Sequence, residues 1–417
     1  MSQTPSAGGL DVARVRKDFP IFEREINGKP LVYLDSANST QKPRAVIDAM
    51  VRFIETSYAP VNRSSYQLAM ESDGAFEGAR SAVAKFINAP NAREVIFTKN
   101  ATEALNLVAR TWGDANLQQG DVVVLTEMEH HANIVPWHQL VERKGIVLRW
   151  VPLTDDGQLE LTDLPSLLDG AKVFAFTAMS NVLGTITPVK QLCAAAHAAG
   201  AIAIVDGCQS VPHLATDVQD MGADFLAFSS HKLCGPTGVG VLWGRETLLG
   251  AMPPFLGGGN MIADVRKDGF TTAELPAKFE AGTPPIIEAV GMHAAIEYLQ
   301  GLGMANIRRH EMDIARYAID TLTERYGDEI TIHGPRNIEV RGATLSFAFR
   351  GIHPHDLSQV LDQSNVCVRA GHHCAKPLMR VLGVGATARA SFYVYNDVDD
   401  ADVLADALDN ASDIFSF

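Results

Sequence analysis

The feature that most constrains the fold is an alternation of apolar runs with helical patterns between residues 94 and 229. The runs contain few polar residues, as in 121–126 and 201–206. Strands with water on one face alternate apolar and polar residues, whereas continuous apolar strands belong to sheets covered on both faces. The pattern therefore predicts an α/β fold with a mostly parallel sheet between helices. The predicted strands are 31–35, 94–98, 121–126, 147–152, 172–177, 201–206 and 225–228.

The chain is long enough for two domains, because 417 residues exceed what one hydrophobic core usually supports. Glycine- and proline-containing passages after residue 255 interrupt the alternation, and a helical pattern at 287–302 leads into a second unit. We predict an N-terminal arm at 1–30 packing on the small domain, a large domain at 31–300 and a small α+β domain at 301–417.

Charge and hydropathy exclude several classes of partner. The net charge is −14 and no basic cluster offsets it, which argues against nucleic acid and anionic membranes. No apolar run reaches the length of a membrane span, and residues 1–9 lack the charged and apolar parts of a signal peptide. We expect a cytoplasmic protein.

A lysine follows the last of these strands directly. The apolar run 225–228 leads into Ser229, Ser230, His231 and Lys232, and glycines then interrupt regular structure. A lysine at the mouth of a buried strand loses solvation, which favours the neutral, nucleophilic amine that forms a Schiff base with an aldehyde cofactor. The alternative is an exposed lysine whose stem lies along the surface.

Polar residues also follow the other strands, where ligands of open parallel sheets bind. The helix that starts after Thr98 offers free N–H groups and a dipole suited to a phosphate; alternatively, Asn100 and Glu103 simply cap it. His130 is a candidate to lie flat on a cofactor ring, or to pair structurally with His131.

Asp206 ends an apolar strand, where a carboxylate needs a cationic or hydrogen-bonding partner. A protonated pyridine nitrogen is such a partner; capping of the segment 207–210 is the alternative. Asn181 and Gln209 are candidates for the ring oxygen, and Ser229 and His231 for the phosphate.

The cysteines form neither a paired C-x-x-C motif nor an even framework. Cys374 lies in a short polar loop with His372, His373 and Lys376, and neighbouring cationic groups favour a reactive thiolate. A metal site built from these histidines and the cysteine is the competing interpretation.

Together these residues resemble the motifs of a known family over essentially the whole chain. The matching segments are TKNATEALN (98–106), MEHHAN (128–133), SNVLGTI (180–186), VDGCQS (205–210), SSHK (229–232), FEAGTP (279–284), VRAGHHC (368–374) and ARASFYVYN (388–396). The chain resembles pyridoxal phosphate enzymes of the class V aminotransferase type, specifically group II cysteine desulfurases of the SufS kind. The resemblance implies fold type I, with a seven-stranded sheet in the large domain.

The resemblance implies a role for each matching residue. Lys232 would bind the cofactor covalently and carry the proton, and His130 would stack on the ring and assist proton transfer. Asp206 would pair with the pyridine nitrogen, and Asn181 and Gln209 would meet the ring oxygen. The residues implied to hold the phosphate are Thr102, Ser229, His231 and, from the other subunit of a homodimer, Thr283.

The substrate side is implied in the same way. Arg389 would bind the substrate carboxylate, with Ala37 and Asn181 beside it, and Cys374 would accept the sulfur as a persulfide while L-cysteine becomes L-alanine. A SufE-like or SufU-like acceptor would then take the sulfur towards iron–sulfur cluster assembly. The alternatives are a selenocysteine lyase, a sulfur-delivery component with little activity alone, and a class V aminotransferase or epimerase-like enzyme that needs no Cys374.

Three segments depart from the group II pattern. Residues 60–66 keep Val61 and Arg63 but lack two histidines and a glycine, residues 37–40 read Ala-Asn-Ser-Thr, and Asn260 replaces a glutamate. A fourth segment, 352–356, resembles the one through which SufU-dependent members offer a histidine, here His355, to the partner's zinc. The alternative for that segment is a helix-capping turn ahead of Leu357.

Overall fold

The computed structural model describes residues 9–26, 28–62 and 64–415. The first eight residues of the predicted arm, and Arg63 of the departing segment, lie outside these ranges. None of the helices within them combines the length and apolar character needed to cross a membrane.

The strands form one large sheet, one smaller sheet and three two-stranded pairs. They are β1 (Glu25–Ile26), β2 (Lys29–Pro30), β3 (Val32–Tyr33), β4 (Val95–Thr98), β5 (Val122–Thr126), β6 (Val147–Val151), β7 (Ala171–Thr177), β8 (Ile202–Asp206), β9 (Phe225–Ser229), β10 (Gly240–Gly244), β11 (Ile262–Arg266), β12 (Gly269–Thr272), β13 (Ile330–His333), β14 (Thr344–Phe349), β15 (Val366–Cys367), β16 (Arg369–Gly371) and β17 (Thr387–Ser391).

The large sheet has seven strands in the order β4-β10-β9-β8-β7-β5-β6, and all are parallel except β10. This confirms the predicted fold class. Alternate residues of each strand enter two separate apolar layers: Val124 and Phe228 pack on one face, and Leu125 and Phe225 on the other. The continuous apolar strands thus reflect burial on both faces.

Strand β10 corrects the expectation that the glycines after Lys232 end regular structure. Gly240 begins this strand, between Thr98 of β4 and Ser229 of β9. A Cβ atom on Gly240 would lie 2.5 Å from the Cα of Asn100, so only glycine lets the strand pass this close to the helix start.

Helices cover both faces of the sheet and one side of the C-terminal unit. The α-helices are Val12–Lys17, Arg44–Thr56, Gln67–Phe86, Ala101–Val108, Asp114–Asn116, Val135–Lys144, Leu164–Leu168, Val189–Ala198, Val218–Met221, Glu246–Ala251, Ile286–Leu302, Met304–Tyr326, Pro354–Asp362, Lys376–Val381 and Val398–Phe415. A π-helical turn, Ala109–Gly113, continues the helix that starts at Ala101. Short 3₁₀ turns are Pro20–Glu23, Ala92–Glu94, His131–Asn133, Ser230–Lys232, Ala277–Phe279, Gly327–Glu329 and Ile338–Val340.

The C-terminal unit is built on the antiparallel sheet β13-β14-β17-β16 and has its own apolar core. Strand β3, predicted to begin the large domain, pairs in parallel with β15 of this unit. Val32 of this strand and Leu34, just after it, belong to the same core. The proposed domain boundary at residue 31 therefore has a strand of the C-terminal unit directly after it.

The described part of the N-terminal arm contacts residues near both ends of the chain's second half. Arg16 forms an ion pair with Asp400 at 2.9 Å. The Phe19 ring packs edge-on against Tyr298 and Tyr395, with ring centroids 5.8 and 4.8 Å away. These contacts tie the arm to the last helix before residue 303 and to the C-terminal unit.

Candidate active site

A cavity of about 200 Å³ lies at the carboxyl ends of β8 and β9, where Asp206 and Ser229 end their strands. Every site residue predicted from the sequence, except Thr283, lines it. The lining comprises Ala37, Asn38, Asn100, Ala101, Thr102, His130, Ala132, Thr177, Met179, Asn181, Asp206, Cys208, Gln209, Ser229, His231, Lys232, Arg369, Cys374 and Arg389.

Thr283 lies in a different cavity, of about 320 Å³, together with Gly238 and Glu288. Within one chain it does not face Lys232. Its contact with the phosphate of a second subunit stays a prediction.

Lys232 ends a 3₁₀ turn that follows β9, and we refer to residues 230–235 as the lysine turn. Its geometry depends on Thr40, whose N–H and hydroxyl both donate to the His231 carbonyl at 3.0 Å. The same hydroxyl accepts the N–H of Cys234 at 2.8 Å. The Lys42 amine also donates to the His231 carbonyl, and burial lowers the pKa of Lys42 to about 8. Sequence reasoning did not find Thr40.

Asp206 is almost fully buried on the cavity wall, and its Oδ1 accepts the N–H of Cys208 at 2.9 Å. Burial raises the pKa of this carboxyl group, while the Cys208 N–H and then the Lys232 amine oppose the shift. Glu129 is a second buried carboxyl group near Asp206: burial raises the pKa of Glu129 to about 8, and the charge of Asp206 adds to this shift. A cationic partner in the cavity would offset the cost of burying Asp206 as an anion.

The helix that begins at Ala101 is capped by Asn100, as the alternative interpretation predicted, and its first residues also line the cavity. Asn100 Oδ1 accepts the N–H of Glu103 at 3.0 Å, and Glu103 accepts the N–H of Lys99. The Ala101 N–H donates to Ser229 Oγ at 2.9 Å. The first turn is thereby fixed with Thr102 on the cavity wall.

His130 lines the cavity, and its Nδ1 accepts the N–H of Ala132 at 3.1 Å. This hydrogen bond assigns the ring proton to Nε2. Burial, and then the Lys232 amine, lower the pKa of His130 to about 3. The imidazole is therefore neutral at physiological pH. His131 points elsewhere and contacts the loop that carries Cys374.

The cysteine loop, residues 371–376, has strained backbone at its centre. His373 and Cys374 have φ angles of 49° and 57°, in the left-handed region. The Asn181 amide donates to the His373 carbonyl at 2.8 Å. Over the described ranges no group of three or more His, Cys, Asp or Glu side chains is arranged to hold a metal ion.

Two arginines face the same region. The fully buried Arg389 donates to the Asn181 carbonyl at 2.9 Å and to Asp35 at 3.1 Å. Its Nε is buried and finds no hydrogen-bond partner among the residues described. Burial lowers the pKa of Arg389 to about 10, but the guanidinium group is still charged at neutral pH.

Arg369, which belongs to the VRAGHHC segment and has no role predicted from the sequence, also lines the cavity. One of its NH groups donates to Asn38 Oδ1 at 2.9 Å and the other lies 3.6 Å from Cys374 Sγ. The second contact places a positively charged group next to the sulfur. After β8, the Gln209 side chain donates to the Ala37 carbonyl at 2.7 Å. This hydrogen bond links two residues that were both predicted to belong to the site.

Comparison with known proteins agrees with this arrangement. The aminotransferase class V family model matches residues 32–404. A protein named a probable cysteine desulfurase, from Streptomyces coelicolor, is 48% identical over the whole of both chains. A cysteine desulfurase from Haloferax volcanii is 45% identical over 98% of each chain.

Solved structures show the same fold. The apo cysteine desulfurase of Thermococcus onnurineus superposes with a TM-score of 0.91 at 36% identity, covering 99% of each chain. The cysteine desulfurase CsdA of Escherichia coli gives 0.89 at 37% identity, covering 97% of this chain and 99% of that one. The family model and these full-length relatives show that the chain belongs to the cysteine desulfurase group of the pyridoxal phosphate-dependent class V aminotransferase family.

Proposed function

We propose that this protein removes sulfur from L-cysteine, leaving L-alanine and a persulfide on Cys374. The observation that carries the proposal is that one cavity is lined by both Lys232 and Cys374. An amine suited to hold an aldehyde cofactor and a thiol suited to accept sulfur can therefore act on one bound amino acid.

The residues present fit pyridoxal phosphate. Asp206 supplies a buried carboxylate for the pyridinium nitrogen, Lys232 supplies the amine, and Thr102, Ser229 and His231 supply contacts for the phosphate. When bound, the cofactor withdraws electrons from the α-carbon of the amino acid and makes its proton acidic.

Arg389 would bind the substrate carboxylate. Its buried Nε is an unsatisfied donor, and a guanidinium group matches a planar carboxylate with two parallel hydrogen bonds. Asn181 and Asp35 hold the other nitrogens of Arg389 in place. The substrate is thereby oriented before any bond changes.

Lys232 would take up the α-proton at Nζ and return a proton to the product. His130 is neutral and carries its proton on Nε2, so this N–H can donate a hydrogen bond to a developing anion. Both groups line the cavity, whereas Glu129 is fully buried and is not part of its lining.

Cys374 would then attack the substrate sulfur as a thiolate. The new S–S bond forms as the substrate C–S bond breaks, the bonding electrons return to the carbon skeleton, and protonation there gives alanine. Arg369 donates a hydrogen bond to Cys374 Sγ at 3.6 Å and would hold the sulfur in place for the attack.

Mass spectrometry after exposure to L-cysteine tests the proposal. We expect added sulfur on the Cys374 peptide, and loss of both persulfide and alanine production in Cys374→Ala. Cys367→Ala is the matched control, because Cys367 is half-buried in β15 and does not line the cavity. Full desulfuration by Cys374→Ala would refute the assignment.

We further propose that the enzyme acts as a cytoplasmic homodimer that passes sulfur to an acceptor protein for iron–sulfur cluster assembly. Exposed His353 and His355 support a docking site: their rings stack at 5.4 Å where the helix Pro354–Asp362 begins, and His353 accepts the His355 N–H. The helix start predicted as the alternative is therefore present, and it leaves His355 exposed.

Titration of acceptors into an alanine-release assay separates the possibilities. A zinc-containing SufU-like protein should stimulate the wild type more than His355→Ala, and a SufE-like protein should not distinguish the two. Relative turnover of cysteine and selenocysteine in the same assay would separate a desulfurase from a selenocysteine lyase.

A further inference from the structure

The second histidine of the MEHHAN segment has no role in the reaction as proposed. His131 does not line the cavity, although both of its neighbours in sequence do. It is half-buried at the start of the 3₁₀ turn His131–Asn133. Its contacts lie on the cysteine loop instead.

His131 makes two hydrogen bonds that bracket the reactive cysteine. Its N–H donates to the Cys374 carbonyl at 2.7 Å, and its ring Nε2 accepts the N–H of Lys376 at 3.0 Å. The ring also lies against His372, with the ring centroids 5.5 Å apart. His131, which follows strand β5, thus contacts three residues of the loop: His372, Cys374 and Lys376.

The loop needs such external contacts. Left-handed backbone at His373 and Cys374 costs free energy for residues that carry a Cβ, and it persists only where surrounding contacts impose it. The bonds within the loop, from Cys374 N–H to His372 and from Ala375 N–H to the His372 carbonyl, form a local turn. They do not direct that turn towards the cavity.

We propose that His131 is a positioning residue whose neutral imidazole docks the cysteine loop so that Cys374 faces the cavity. The inference rests on the proposed function, since it assigns the docked loop to sulfur uptake and the released loop to sulfur transfer. The Lys376 N–H needs an unprotonated Nε2 as its acceptor. Protonation of the ring would place two donors against each other and release the loop.

The charges around His131 favour the docked state at neutral pH. The groups that face the ring are His130 from its own segment and His372 and Lys376 from the loop. Among the described residues, the groups named here are all basic side chains, so none would attract a protonated His131 ring. Burial, and then His372 and Lys376, lower the pKa of His131, so protonation and release of the loop require a lower pH than for an ordinary histidine.

Two variants of the cofactor-loaded enzyme test this. His131→Leu removes the acceptor, whereas His131→Gln keeps an acceptor near the Nε2 position and cannot titrate. The readouts are hydrogen exchange of the peptide that contains Lys376 and the rate of persulfide formation on Cys374. The cofactor absorption band should be unchanged in both variants, because His131 does not line the cavity.

We expect exchange at Lys376 to accelerate about fivefold in His131→Leu and persulfide formation to slow by a similar factor. His131→Gln should match the wild type at pH 7.5 and should lose the acid-induced rise in exchange. Unchanged exchange in His131→Leu, or a Gln variant that behaves like the Leu variant, would overturn the proposal. If exchange responds to His131→Leu in a protein that forms no persulfide, the docking contact stands and the sulfur transfer fails, so the two failures are distinguishable.

Discussion

The lysine turn and the cysteine loop face one cavity but are built differently. The lysine turn follows β9, whose five residues are all buried, and Thr40 fixes its backbone through the His231 carbonyl and the Cys234 N–H. The cysteine loop follows β16, which is only half-buried, and it has left-handed backbone at two successive residues. The lysine proposed to hold the cofactor thus follows a fully buried strand, whereas the cysteine proposed to carry sulfur lies on a segment held by hydrogen bonds to other elements.

Removing each reactive group in turn should have the largest effect and tests whether the two segments have different roles. Lys232→Ala should lose the absorption band of the bound cofactor and roughly a thousandfold or more of the activity, because both cofactor attachment and proton transfer depend on that amine. Cys374→Ala should lose activity but keep the band. Absorption spectra and alanine release measure both; an unchanged band in Lys232→Ala would contradict the role of the lysine turn.

Acid should weaken both regions through His373, which is buried, and through His130 and His231, which are half-buried. Burial is the largest cause that lowers the pKa of His130 to about 3, of His231 to about 4 and of His373 to about 2. Each takes up a proton on unfolding at pH values below about 6.5, so the free energy of unfolding should fall as the pH drops from about 6.5 towards 4.

Urea denaturation of the cofactor-free protein between pH 7.5 and 4.5 checks this. The slope of stability against pH should shrink by about one proton in His231→Gln, which removes one titrating group. A stability that stays constant or rises below pH 6.5 would show that these imidazoles are not held neutral.

The smallest expected effect concerns the contact between Thr40 and the lysine turn. Thr40→Val removes the hydroxyl that joins the His231 carbonyl to the Cys234 N–H and leaves that buried N–H unsatisfied. It should cost about 1–3 kcal/mol of the free energy of unfolding, whereas Thr40→Ser keeps the hydroxyl and should cost less. Equal denaturation midpoints for the two variants would show that the Thr40 hydroxyl does not stabilise the lysine turn.

The strands and their terminal residues were predictable because burial on both faces leaves continuous apolar runs. Asp206 and Lys232 follow such runs directly, so their place at the sheet edge follows from strand direction. Strand β10 was not predictable, because its glycines suggest a turn and are explained only by the nearby Asn100 backbone.

The supporting residues could not be found from sequence order. Thr40 contacts a carbonyl 191 positions away and Arg369 contacts Asn38 across 331 positions. Such contacts carry no local periodicity, since they depend on how distant segments meet. For the same reason Thr283, which faces away from the cavity of its own chain, keeps its predicted role untested.

The pairing of β3 with β15 has a consequence for biosynthesis. Asp35, just after β3, meets Arg389, which is 354 residues further along, while Thr40 only a few residues on grips the lysine turn. As the polypeptide leaves the ribosome, this early stretch must wait for nearly the last codons before it is anchored at both ends. We expect chains shortened at their C terminus to have a disordered lysine turn as well as no reactive thiol, so an incompletely translated enzyme would hold neither the cofactor nor the sulfur.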